Sequence, residues 1–240
     1  MKFLSGMIAA ILSGTSLFAA EDHLIGHWDF ADAAESTVPG KAGPAGKIMN
    51  YGKGATLIKL GNKTLLKVTG SSSKDAGGFA VPKLDLDPTK AFTVIFDFFF
   101  EQQISDRKTR DFFSFTDSDK GPGFRFFYGW GALSIRTGDG EKVLQKGSKR
   151  DGLSIPAGRI ARLAVVYDEK TAVFYLDGKK IAENEFRILP CKRRTLLFGR
   201  YWHGSAYPLN GALGSIKVYN KALGAAEIAE DYLTERENLE

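Results

Sequence analysis

Short apolar, β-branched and aromatic runs alternate with Gly, Asp, Asn and Pro punctuation from residue 23 almost to the end of the chain. That rhythm predicts short strands joined by turns. They fall at residues 23–30, 55–60, 64–68, 78–81, 91–100, 111–116, 123–130, 132–136, 162–167, 171–176, 179–182, 196–199 and 214–219. The stretch 91–100 is so β-branched and aromatic that a central strand is expected there, with Phe92, Val94, Phe96 and Phe98 on one face. Asp177-Gly178 between two apolar runs signals a two-residue hairpin, because a type I′ turn needs positive φ at both central positions. Only residues 222–238 read as a helix: Ile228, Tyr232 and Leu233 stand at helical spacing with acidic residues between them, which predicts one face packed on the strands. About a dozen strands and one terminal helix give two packed antiparallel sheets.

Residues 1–20 interrupt this reading. Lys2, an apolar stretch from Met7 to Leu12 and the small residues Ala19-Ala20 before Glu21-Asp22 have the layout of a secretory signal peptide. The run is too short to span a bilayer. The expectation is an exported chain, secreted or held in the periplasm or at the cell surface, with one domain over residues 21–240. The formal charge of +5 is a mild surplus. Basic clusters at Arg107-Lys108-Arg110 and Lys192-Arg193-Arg194 carry no nucleic-acid motif and read as solvated loops, so no nucleic-acid partner is expected. Cys191 is the single cysteine, which excludes an intramolecular disulfide and leaves stability to the core; with no Cys-His signature around it, it reads as a small apolar group.

Three stretches carry a family resemblance. Gly26-His27-Trp28-Asp29-Phe30 resembles the opening strand of laminin G-like and concanavalin A-like jelly rolls. Ala172-Val173-Phe174-Tyr175-Leu176-Asp177-Gly178-Lys179 is similar to their Tyr-x-Asp/Asn-Gly hairpin. The run from Leu209 through Tyr219-Asn220-Lys221-Ala222-Leu223 to Glu227-Ile228 resembles their closing segment. Phe112-Phe113-Ser114-Phe115 and Leu133-Ser134-Ile135-Arg136 also look like lectin-like modules attached to bacterial sialidases. The resemblance implies an all-β, two-sheet antiparallel jelly-roll sandwich with a short C-terminal helix. Many members of the group place an acidic pair just after a glycine and an apolar residue in the final strand, where the aspartate can help hold a structural calcium. Here those positions read Leu213-Gly214-Ser215, without a carboxylate. Calcium stays open as a bound ion, since backbone carbonyls can supply part of its six to eight oxygens.

Two catalytic patterns known on this fold are missing: Glu-x-Asp-x-x-Glu, which would set a nucleophile and an acid on one face, and the Gln-x-His of alginate lyases. Asp85-Leu86-Asp87 could pair an acid with a base, but Pro88 follows at once and marks a solvated strand end. Asp117-Ser118-Asp119 opens like a calcium loop yet lacks the Glu at its twelfth position, so a plain turn is expected. Of the aromatic stripe Phe124, Phe126, Tyr128 and Trp130, alternation predicts core, with Arg125 and Phe127 on the opposite face. The loop Gly199-Arg200-Tyr201-Trp202-His203-Gly204-Ser205-Ala206-Tyr207-Pro208 is the candidate site. Its rings offer flat apolar faces to sugar C–H groups, and Arg200 and His203 can donate hydrogen bonds to hydroxyls or a carboxylate. Folding of the loop over a sheet, with Trp202 buried as a plug, is the alternative. With the resemblance, the expected role is a non-catalytic lectin-like domain for a polysaccharide or glycoprotein glycan, bound through Arg200, Tyr201, Trp202, His203 and Tyr207. The competing classes are a polysaccharide lyase or glycoside hydrolase working through His203 and a tyrosine, and an adhesion domain whose aromatics contact protein.

Overall fold

The computed structural model describes residues 22–72, 74–105, 108–116, 118, 120–148, 153–201 and 207–238. Sixteen strands form two antiparallel sheets among these residues. Sheet A runs β14 (Lys179–Glu185), β13 (Thr171–Leu176), β12 (Ile160–Tyr167), β7 (Phe92–Phe99), β16 (Gly211–Tyr219), β5 (Lys63–Val68), β4 (Ala55–Leu60). The nine-residue β16 serves two neighbours on one side: Gly211–Leu213 pair with β5, and Ile216–Tyr219 with β1 (Leu24–Trp28). Sheet B runs β11 (Val143–Gly147), β10 (Ala132–Gly138), β9 (Gly123–Gly129), β8 (Arg110–Thr116), β15 (Thr195–Phe198), β6 (Gly78–Pro82), β3 (Gly46–Met49), β2 (Thr37–Val38). The two packed antiparallel sheets expected from the strand pattern are therefore present, in the jelly-roll sandwich that the resemblance implies.

Phenylalanines from both sheets meet between them. Phe92, Phe96 and Phe98 of β7 face Phe112, Phe124 and Phe126, with ring centroids of Phe92 and Phe124 4.8 Å apart and of Phe96 and Phe112 5.3 Å apart. Each buried ring contributes on the order of 1.5–3 kcal/mol. A bulge between Asp111 and Phe113 lets two consecutive phenylalanines, Phe112 and Phe113, both enter the core. Trp28 of the opening strand is fully buried, its indole N–H donating to Pro44 O at 2.8 Å. Asp177 (φ 49°) and Gly178 (φ 74°) form the left-handed hairpin turn that the sequence signals.

The helix α1 (Ala225–Glu235) packs on the outer face of sheet A. Its N-terminus is closed by Glu227, whose carboxylate accepts from Gly224 N at 2.7 Å. Ile228 sits among Ile95, Ala164, Val166 and Tyr219, and Tyr232 meets the cluster of Leu65, Ile160 and Ala212. Leu233, expected on that packed face, is 61% exposed instead. The structure also adds β2, β3 and β11. β11 is an edge strand whose residues are almost all exposed, so selection for burial never imposed an alternating pattern on it.

Candidate functional site

The outer face of sheet B is polar yet buried. Asp111, Ser114 and Thr116 of β8, Arg125 of β9 and Ser134 of β10 are all at most 5% exposed. Side chains on an outward face stay dry only when something lies above them, and over Arg125 it is Tyr201 and Tyr207, from the two described ends of the connection between β15 and β16. Its ends are pinned to the sheet: Gly199 N donates to Phe112 O at 2.8 Å, Leu209 N to Gly199 O at 2.8 Å, and Asp111 N to Tyr207 O at 3.0 Å.

Arg125 is the centre of that roof. Its Nε and Nη2 donate to the two carboxylate oxygens of Asp111, the second at 3.0 Å. The planar cation then lies 4.2 Å from the ring centre of Tyr201, 4.5 Å from that of Tyr207 and 4.7 Å from that of Phe127. A desolvated cation over aromatic faces is stabilised by about 2 kcal/mol. Tyr201 reaches across the sheet, and its hydroxyl donates to Ser118 O at 3.0 Å.

Three of the five candidate residues are thereby placed; Trp202 and His203 lie outside the described residues. Tyr201 and Tyr207 come together, ring centres 6.1 Å apart, on Arg125. Tyr201 is buried and roofs the sheet, whereas Tyr207 keeps part of its surface in solvent. Arg200, adjacent to Tyr201, turns the other way: its Nη1 donates to Ala76 O at 2.9 Å and its cation lies 5.0 Å from the ring centre of Tyr51. Burial pulls its pKa below the usual guanidinium value.

Two rings outside the five candidate residues stand at the same end of the sandwich. Trp130, expected in the core stripe, is 56% exposed, because it occupies the β9–β10 turn with φ 58° and is followed by Gly131 at φ 77°. Its stripe-mates Phe124, Phe126 and Tyr128 are core residues as expected. The turn end of β9 lies beside Thr109 and Arg110, near the Tyr207 attachment. Tyr51, on a short 3-10 turn after β3, is 52% exposed. A Trp-Gly pair between two strands was the available signal for Trp130; Tyr51 carried none.

The other sequence candidates resolve into turns and packing. Asp85 and Asp87 are exposed, and the Asp87 carboxylate accepts from Thr89 N at 2.9 Å and Thr89 Oγ1 at 2.7 Å. Cys191 is half-buried, its Sγ 3.8 Å from Phe115 O. Among the described residues no group of three or more His, Cys, Asp and Glu side chains converges as a metal site, and no helix is long and apolar enough to cross a membrane.

The fold has many relatives among solved structures. The binding domain of Paraclostridial Mosquitocidal Protein 1 superposes with a TM-score of 0.67 at 14% identity, covering 90% of this chain and 53% of that one. The ligand binding domain of botulinum neurotoxin serotype D, in complex with N-acetylneuraminic acid, gives 0.68 at 12% identity, covering 92% and 53%. This chain thus spans about half the length of those two toxin domains. Domain 4 of AbnA, a GH43 extracellular arabinanase from Geobacillus stearothermophilus in complex with arabinotriose, gives 0.61 at 18% identity and matches in size, covering 87% and 97%. No curated protein sequence matches the chain. A family model for the concanavalin A-like lectin/glucanases superfamily, of the laminin G type, matches residues 73–229. That is more than half of the chain, which belongs to this superfamily.

Proposed function

We propose that this chain is a secreted, non-catalytic glycan-binding domain whose contact surface is the loop-bearing end of the sandwich, with Trp130, Tyr51 and Tyr207 as its rings. The observation that carries this reading is where the exposed aromatics fall. Among the described residues the two rings more than half exposed, Trp130 and Tyr51, both lie at that end. Exposed rings at a rim supply flat apolar faces for sugar C–H groups, and the superfamily supports a binding role. The sugars held by the arabinanase domain and the serotype D neurotoxin domain support a glycan ligand, and the leader-like residues 1–20 favour export.

A glycan microarray on the purified protein, with and without calcium, tests this. Wild type is expected to bind, and Trp130→Ala and Trp202→Ala each to weaken binding about tenfold or more without generating reducing ends or unsaturated uronates. Absence of binding to any glycan in either condition overturns the reading.

A further inference from the structure

A cleft of about 450 Å³ opens at the same end, on the side of sheet A. That is within the roughly 300–1,000 Å³ of small-molecule sites. Its walls follow from the strand register. β7 ends at Phe99, which pairs with Ala212 and packs outward beside Leu65, Ile160 and Ala212. The chain then leaves the sheet through the exposed Glu101, Gln102 and Gln103, while Asn210 turns into β16 with φ 48° opposite them. Asn210 is fixed in place, its Oδ1 accepting from Gly70 N at 3.1 Å. Lys67 projects from β5 and donates to Glu101 at 2.6 Å across the cleft wall.

We propose that this cleft seats an uncharged oligosaccharide segment, as the binding subsite of the glycan-recognition role above, on which the inference rests. Three carboxamides line it, those of Gln102, Gln103 and Asn210. Each offers both donors and an acceptor, the same dual character as a sugar hydroxyl. Charge at the lining is small: Lys67 is matched by Glu101, and the one further charge among the lining residues, Arg110, has its Nη1 donating to Lys108 O at 3.3 Å. Phe99 and Ile58 give an apolar floor for ring C–H groups. The Lys67–Glu101 pair is exposed and adds little to the fold, so opening it to meet a ligand costs little.

The test titrates neutral and uronate- or sialate-bearing oligosaccharides against wild type, Trp130→Ala, the double variant Gln102→Ala/Gln103→Ala and Thr69→Trp, which fills the cleft mouth from an exposed position. Thermal melting of each variant serves as the folding control. Expected are binding of a neutral oligosaccharide by wild type and affinity at least about tenfold weaker in both cleft variants, with melting unchanged. Loss in Trp130→Ala with full binding by both cleft variants overturns the cleft and leaves the glycan reading standing. Binding of acidic sugars alone overturns the ligand class. No binding by wild type overturns both.

Discussion

Both sheets bury an arginine–aspartate pair on their outward faces, but the two pairs are roofed by opposite chemistry. On sheet A, Arg162 of β12 donates to both oxygens of Asp97 of β7, at 2.7 and 3.2 Å, and to Asp231 of α1 at 2.6 Å. Lys217 joins Asp231 at 2.5 Å and Glu235 at 3.6 Å, so the helix is held down by a charge network. On sheet B, Arg125 and Asp111 make the same two-pronged pair, and the cover is the rings of Tyr201, Tyr207 and Phe127. Burial opposes the charge on Arg162, but Asp97, Asp231 and Glu235 outweigh it and hold its pKa above the usual value. A buried cation can thus be kept dry by countercharge or by aromatic faces. Only the second also leaves a partly exposed ring, Tyr207, at the surface proposed to meet ligand.

Removing one member of either pair leaves an uncompensated buried charge. Arg162→Ala and Arg125→Ala are each expected to lose about 3–5 kcal/mol in urea unfolding. Replacing the sheet B pair as a whole, Asp111→Leu with Arg125→Met, is expected to cost less than either single change, since no charge is then stranded. A double variant as unstable as the worse single one would show that the rings need the cation beneath them. Tyr201→Phe keeps the ring over Arg125 and deletes only the bond to Ser118 O. Its expected cost is about 1 kcal/mol, seen as a melting shift of roughly 2–4 °C; a much larger loss would make the hydroxyl, not the ring, the anchor of the roof.

The smallest effect belongs to His27, which sits beside the sheet A network with its Nε2 3.3 Å from Ser215 Oγ. Burial first, and then the charge of Lys217, hold its imidazole below the ordinary value of 6.5. The folded state therefore binds fewer protons than the unfolded one as pH falls through 6.5 toward the lower folded pKa, and stability declines across that window. Unfolding measured between about pH 7 and 5 should show this slope, and His27→Gln should flatten it. Sheet B has no histidine among its described strand residues, so a slope unchanged in His27→Gln would move the pH sensitivity away from this contact.

The buried strands were legible because their β-branched and aromatic runs stand between turn residues. β7, β9, β12 and β13 followed directly, and so did the hairpin at Asp177-Gly178, whose backbone few other residue pairs adopt. β2, with two residues, and β11, with almost no buried ones, carried no such imprint. At the candidate site, composition pointed to the loop after Gly199 but could not assign directions to neighbouring side chains. Arg200 and Tyr201 are consecutive, yet one binds Ala76 and faces Tyr51 while the other covers Arg125.

The sequence by itself determined the sandwich, its inward aromatic layer and the terminal helix, because these depend on patterns repeated within a few residues. The tertiary structure alone decided which outward polar residues lie in water and which under a roof. Arg162 and Asp97 are 65 positions apart, Arg200 and Ala76 124. Such meetings follow from which loop or helix crosses a given face, and local periodicity holds no record of that.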